Sequence, residues 1–450
     1  MNTPIYDFVS KYAKSDAVRF HMPGHKGEEY LGCEARDITE IKGADELYDA
    51  EGIIAESEKN ATGLFGAGCT VFSTEGSSQC IRAMLHLVTM KRKPDKRPVV
   101  VAARNAHKAF LYAAVLLDLE VVWLWPEETE SLCSCQVSAE ALERTLAELR
   151  TSDDTREVAA VYITSPDYLG GTAPIAALAE VCHSYGTVLA VDNAHGAYLH
   201  FLETPCHPMD LGADICCDSA HKTLPVLTGG AYLHIGKHAP EGFAENAKQA
   251  MELFGSTSPS YLILQSLDLC NRYLAKEYKV QLAEMVKKVS EAREKLQAAG
   301  WSCAFGEPMK ITVKAPCGST GKELAERLRT KQIECEYADA DFVVLMLTPQ
   351  NSQEDLEHLL AALGENKASY VARSYPAFGR AEYVMPMREA YFSAGEVISS
   401  AKAEGRICRR PIASCPPAIP VAVPGERLDS TIVGLFKYYG MDKIDVVTEA

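Results

Sequence analysis

Apolar positions along this chain alternate between two rhythms. Unbroken apolar runs at 70–73, 98–103, 121–124 and 158–164 read as short buried strands. So do the runs that end at Asp192 and Cys217, and the one at 231–233. Between them, helical spacing predicts helices over 3–14 (Ile5, Phe8, Val9, Tyr12), 53–66, 81–90, up to Leu117, 138–150 and 174–185. Short apolar strands alternating with helices predict an α/β chain with a mostly parallel sheet.

The rhythm changes further along. A long tract over 258–300 is rich in Leu, Ala, Lys and Glu and predicts helix. Strand-like 309–314 and 342–348, with helices near 320–331 and 352–363, form a βαβ-type pattern and predict a smaller α/β domain. From about 366 prolines become frequent (Pro386, Pro411, Pro416, Pro417, Pro420, Pro424), yet apolar residues are interleaved throughout, which predicts a compact appendage. The expected division is an N-terminal segment 1–50, a large domain 51–265, a small α/β domain 266–365 and a C-terminal domain 366–450.

Composition narrows the function class. The 450 residues are 47% hydrophobic and 24% charged, ordinary for a globular enzyme with a large core. A net charge of −16 argues against nucleic acid as a partner. The 15 cysteines show no CxxC pair at zinc spacing, so no metal is expected and reduced thiols in a cytoplasm are the simplest reading. No secretory leader and no apolar run of membrane-span length is seen, so no membrane partner is expected.

The chemistry concentrates where strands end. Lys222 stands in Ser219-Ala220-His221-Lys222-Thr223, just after an apolar strand. An amine there suits Schiff-base chemistry, since an imine forms only from the neutral amine that burial favours; a solvated lysine beside a turn is the bland alternative. Asp192 ends another buried strand, at the edge where open α/β sheets bind ligands. A carboxylate there can pair with a protonated pyridine nitrogen and keep pyridoxal phosphate electron-poor; otherwise it caps a turn. Gly76-Ser77-Ser78, between strand and helix, offers backbone N–H groups and hydroxyls to a phosphate, or is an ordinary N-cap. His107 follows a strand end and could lie on a cofactor ring, move protons, or simply begin a helix. Tyr168-Leu169-Gly170-Gly171 could line the same edge or form a plain turn, and Ser256-Thr257-Ser258-Pro259-Ser260 could be a helix cap.

Taken in order, Phe20-His21-Met22-Pro23-Gly24-His25-Lys26-Gly27, Ala103-Arg104-Asn105-Ala106-His107-Lys108, Val191-Asp192-Asn193-Ala194-His195-Gly196, Ser219-Ala220-His221-Lys222-Thr223-Leu224 and Ser256-Thr257-Ser258-Pro259-Ser260-Tyr261 resemble the bacterial ornithine/lysine/arginine decarboxylases. The resemblance covers about residues 1–265, with an echo at Cys415-Pro416-Pro417-Ala418. It implies the short form of that family, without the N-terminal wing domain. It also implies a fold-type-I, three-layer α/β sandwich with smaller α/β C-terminal domains, and pyridoxal 5′-phosphate as cofactor. Lys222 would carry the cofactor as an imine, Asp192 would face the ring nitrogen, and His107 would stack on the ring. Ser77, Ser78, Ser219 and His221 would surround the phosphate, with Gly76 allowing close approach. Thr257 or Ser258 would reach the phosphate of a neighbouring subunit, making a homodimer the smallest competent unit, and His195 would stand near the substrate's α-carbon. The implied reaction is decarboxylation of arginine, lysine or ornithine to a polyamine-type amine. Where the family often has Glu, His and Gly, this chain has Asn193, Tyr198 and Ala418, which touches substrate choice and reaction type.

Two rival readings remain at this level. An aminotransferase or other lyase would clamp the substrate carboxylate with arginine, for which Arg388 and Arg406 are candidates; a non-catalytic relative would bind the cofactor without turnover. A nicotinamide enzyme would need a GxGxxG after the first strand, which this chain lacks.

Overall fold

The computed structural model describes every residue except 91–94, 127–130, 153–155, 305, 371–374, 377–379, 414–417 and 449–450. In chain order the first elements are α1 (Pro4–Ala13), α2 (Ile53–Phe65), β1 (Cys69–Ser73), α3 (Ser77–Thr89), β2 (Arg97–Ala103), α4 (Lys108–Leu117), β3 (Glu120–Leu124), α5 (Ala139–Ser152) and β4 (Arg156–Thr164). There follow α6 (Ile175–Ser184), β5 (Val188–Asp192), β6 (Ile215–Asp218), α7 (Ala220–Thr223), β7 (Ala231–Ile235), α8 (Phe243–Glu252), α9 (Tyr261–Lys276) and α10 (Tyr278–Ala298). The chain forms two compact units, Met1–Lys91 with Ile175–Ala283, and Arg92–Pro174 with Glu284–Ala450.

In the first unit four strands are hydrogen-bonded in the order β1-β7-β6-β5. β5 and β6 are parallel, pairing Asp192 with Cys217, whereas β7 runs antiparallel to both β6 and β1. Since both neighbours of β7 oppose it, β1, β5 and β6 point the same way, and their carboxyl ends share one edge. β5 and β6 read as unbroken apolar runs because both faces are covered, and Leu189, Ala190, Val191, Ile215, Cys216 and Cys217 are all fully buried. Behind them Phe65 packs edge-on to Phe201, ring centroids 5.2 Å apart. The buried Glu58 of α2 accepts from the Phe72 N–H at 2.9 Å and from Lys248 Nζ at 2.6 Å, joining α2, β1 and α8. At the N-terminus, the Tyr6 N–H and the Ser57 hydroxyl both donate to Asp268, at 2.9 and 2.6 Å, which fixes α1 and α2 against α9.

In the second unit β4, β2 and β3 are hydrogen-bonded in that order and are parallel where β2 meets each neighbour. Four further strands, β8 (Cys303–Ala304), β9 (Lys310–Lys314), β10 (Tyr337–Ala338) and β11 (Phe342–Met346), form a second sheet in the order β10-β11-β9-β8. All its pairs are antiparallel, not the parallel pairing a βαβ unit gives. The hairpin from β10 to β11, too short for a crossover, is the reason. The proline-rich C-terminal stretch contributes buried apolar residues to the second unit. Cys408, Val421, Leu435, Phe436, Ile444 and Val446 are buried there in one cluster with Leu132 and Cys133. Cys415, Pro416 and Pro417 lie outside the described residues. None of the described helices is long and apolar enough to cross a membrane.

Candidate active site

The shared carboxyl edge of β1, β5 and β6 gathers the first unit's polar loops. β5 ends on Asp192, 2% exposed, whose Oδ1 accepts from the Ala194 N–H at 3.2 Å. β6 ends on Asp218, and α7 carries Lys222 four residues on. Lys222 Nζ lies 3.0 Å from His195 Nε2, so the loops after β5 and β6 meet at a half-buried amine and a buried imidazole. A lysine and a histidine at that distance can pass one proton between them.

The loop after β1 closes on the same edge. Gly76 caps α3 with φ +74°, a left-handed backbone that favours glycine. Its N–H donates to the Gly229 carbonyl at 2.7 Å. The loop comes so close to the glycine pair before β7 that a Cβ on Gly229 would stand 2.8 Å from the Thr74 carbonyl oxygen. Ser77 and Ser78 open α3, where free backbone N–H groups and the helix dipole favour an anion. The Ser219 hydroxyl donates to Ser77 Oγ at 2.7 Å, so the two proposed phosphate hydroxyls, from different loops, face one point. His221 Nδ1 sits 2.9 Å from the Gly230 carbonyl.

Thr257 and Ser258 are exposed, and their segment is tied to the 74–78 loop of the same chain through the Ser256 N–H and the Glu75 carboxylate. Ser260 caps α9, its hydroxyl accepting from the Ile263 N–H. His107 belongs to the second unit, where its Nδ1 accepts from the Ala109 N–H at 3.1 Å and caps α4. The structure thus brings together Gly76, Ser77, Ser219, His221, Lys222, His195 and Asp192 in one unit, with Ser78 next in the α3 turn.

Arg388 and Arg406 are both engaged structurally. Arg388 donates to the Val115 and Leu116 carbonyls at the end of α4, and Arg406 to Glu396 and the Val447 carbonyl.

Asp218 is a hub that sequence reasoning missed. Fully buried, it accepts from Asn193 Nδ2 at 2.6 Å on Oδ1, and from His207 Nε2 at 3.0 Å and His234 Nε2 at 3.2 Å on Oδ2. Burial works against its charge, but the His207 and His234 partners outweigh that and hold the carboxyl below the usual carboxylate range. His207, Cys216 and Asp218 also bring possible metal-ligand atoms within 4.8 Å of one another. However, the Met209 N–H donates to His207 Nδ1, so the ring's proton sits on Nε2 and faces the carboxylate, leaving no lone pair there for a cation. The one available signal was a histidine inside the apolar run Tyr232-Leu233-His234-Ile235, which a buried strand tolerates only with a partner.

A family model described as "Orn/Lys/Arg decarboxylase, major domain" matches residues 3–317. The chain is 30% identical over 472 residues to an arginine decarboxylase of Bacillus subtilis, covering 97% of this chain and 93% of that one. Among solved structures it resembles lysine decarboxylase A from Pseudomonas aeruginosa, with a TM-score of 0.81 and 17% identity over 99% of this chain and 80% of that one. A structure described as "SPT with PLP" is similar at a TM-score of 0.54, with 13% identity over 68% of this chain and 74% of that one. These likenesses show the fold: a fold-type-I α/β architecture with a mostly parallel central sheet.

Proposed function

The chain belongs to the Orn/Lys/Arg decarboxylase family, and on that premise we propose that it removes carbon dioxide from a basic amino acid with pyridoxal 5′-phosphate as cofactor. Arginine is the substrate we favour, because the Bacillus subtilis relative matched over nearly its whole length is named for it. The single observation that carries the reading is the Lys222–His195 pair, beside a buried Asp192 at the end of the neighbouring parallel strand.

The residues suit that cofactor. Lys222 would supply the amine, Asp192 a carboxylate for a proton-bearing ring nitrogen, and Ser77, Ser78, Ser219 and His221 would hold the phosphate at the start of α3. Two buried polar atoms in the adjoining loops, Asn193 Oδ1 and Thr223 Oγ1, have no hydrogen-bond partner among the described residues, leaving polar capacity for a bound ligand to use. When bound, the cofactor supplies an electron sink for the pair released as the carboxylate leaves. The chain's own residues do the rest. Asp192 would hold a proton on the ring nitrogen, and α3 would hold the phosphate end. His195 and Lys222 exchange the proton that the substrate's α-carbon takes up. Orientation of the bond to be broken comes from holding the substrate in one pose.

We assign His107 to the ring face, Thr257 or Ser258 to the phosphate of a second subunit in a homodimer, and the enzyme to the cytoplasm. The thiols support that compartment, since no disulfide joins any of the described cysteines to another. The test is carbon dioxide release from arginine, lysine and ornithine, with and without added pyridoxal phosphate. Carbon dioxide and amine in equal amounts are expected; a keto acid without carbon dioxide would overturn the decarboxylase reading.

A further inference from the structure

The Asp218 carboxylate is hydrogen-bonded to Asn193, His207 and His234, and Asp218 sits between the two loops that carry the groups assigned above to substrate and cofactor. Towards β5, its Oδ1 takes the Asn193 side-chain amide at 2.6 Å, and Asn193 directly follows Asp192. The Asn193 backbone N–H donates to the Cys217 carbonyl at 2.9 Å, so both ends of that residue are tied to the last two positions of β6. Towards the lysine, Asp218 is the final residue of β6, and Ser219 and α7 follow it without a spacer. From behind, His207 and His234 clamp Oδ2. Each of these rings is itself fixed, His207 by the Met209 N–H and His234 by Thr70 Oγ1 at 2.8 Å.

Geometry also fixes which way the Asn193 amide faces. An ionised carboxylate only accepts, so the NH2 group must point at Asp218 and Oδ1 must point away. That oxygen lies where a Cβ on Gly196 would come within 2.0 Å of it, so the loop has a glycine where any side chain would displace the amide. Other titratable groups near the carboxylate include Cys80 of α3, Cys216 and Cys217 of β6 and Tyr232 of β7, and burial pushes all four upward.

We propose that Asp218 is a positioning residue: through Asn193 it sets the place of the Asp192 carboxylate relative to Lys222, and so tunes the bound cofactor. This rests on the pyridoxal-phosphate reading. A fully buried anion satisfied by three donors from three separate segments is rigid, because moving any one of them leaves the buried charge short of a hydrogen bond. The Asn193 link carries that rigidity to the strand end.

The test uses the holoprotein with Asp218→Asn, Asn193→Ala and the double variant. It follows cofactor dissociation and the pH midpoint of the visible band of bound pyridoxal phosphate, with melting temperature recorded alongside. Each single variant is expected to weaken cofactor retention by about tenfold and to move the band's midpoint. The double variant is expected to be no worse than Asp218→Asn alone, because both act along one path. If Asp218→Asn does not fold, Asn193→Ala decides, since it removes the link and leaves the buried anion its two histidines. Retention and midpoint within roughly twofold of the unaltered protein, with only the melting temperature lowered, would overturn the proposal, as would additive effects in the double variant. Absence of any visible band in the unaltered protein would instead sink the cofactor reading on which the proposal stands.

Discussion

His195 Nε2 stands 3.0 Å from Lys222 Nζ, and the two groups come from loops 27 positions apart in sequence. Their contact depends on β5 and β6 being adjacent and parallel, so that both loops leave from one edge. If His195 shares the reprotonation step, His195→Gln should lower kcat by about a hundredfold or more while the cofactor stays bound. Steady-state rates read beside the visible spectrum check this; an unchanged kcat would remove His195 from the chemistry.

Arg104, 2% exposed in the second unit, is held on all sides. It donates to the Pro420 and Val421 carbonyls at 2.7 and 2.9 Å, lies 3.7 Å from Glu426, and faces the rings of Trp123 and Trp125. Arg104→Ala would leave Glu426 buried without that partner and remove two hydrogen bonds to carbonyls, so we expect a loss of about 3–5 kcal/mol in stability. Arg104→Lys should recover only part, because an ammonium lacks the planar fork that reaches both carbonyls. Denaturant midpoints of the two variants are the measurement.

Ala418 adopts φ +59° while its carbonyl accepts the Lys108 N–H at 2.9 Å. A Cβ is strained in that left-handed backbone, whereas glycine adopts it freely. Ala418→Gly is expected to stabilise the protein by about 1 kcal/mol, read as a rise in melting temperature.

Asp268 is raised by burial from 3.8 to about 6, although Ser57 and the Tyr6 N–H pull the other way. The folded protein therefore holds this proton more tightly than the unfolded chain. The stability this contributes is complete below about pH 4 and is lost as pH rises through about 6. Asp268→Asn cannot ionise, so its stability relative to the unaltered protein should improve between pH 4.5 and 7.5, by about 2 kcal/mol. Urea midpoints of both proteins at the two pH values test the sign; a gap that stays constant would place the titration elsewhere.

Much of the fold was legible because buried parallel strands are written as continuous apolar runs. β5 and β6 announce themselves that way, and Asp192 and the Lys222 loop stand out as the polar residues that end them. Local signals sufficed there. The Asp218 hub was illegible for the opposite reason. Its histidines lie 11 residues before and 16 residues after it, and they converge only because β7 turns back antiparallel and sets His234 opposite Cys216. No short-range pattern encodes that register. The C-terminal pairing of Gly395–Ser399 with Lys443–Val447 was hidden likewise by its long separation. The helix Ser430–Tyr439 between them did carry a readable signature, an Asp429 N-cap and a left-handed Gly440.

The central claim is that Lys222 is the amine to which the cofactor attaches. Lys222→Ala, incubated with pyridoxal phosphate and passed through a desalting column, should show no visible band and release no carbon dioxide from arginine, while the unaltered protein does both. A Lys222→Ala protein that kept the band through the column, or still turned substrate over, would contradict the account.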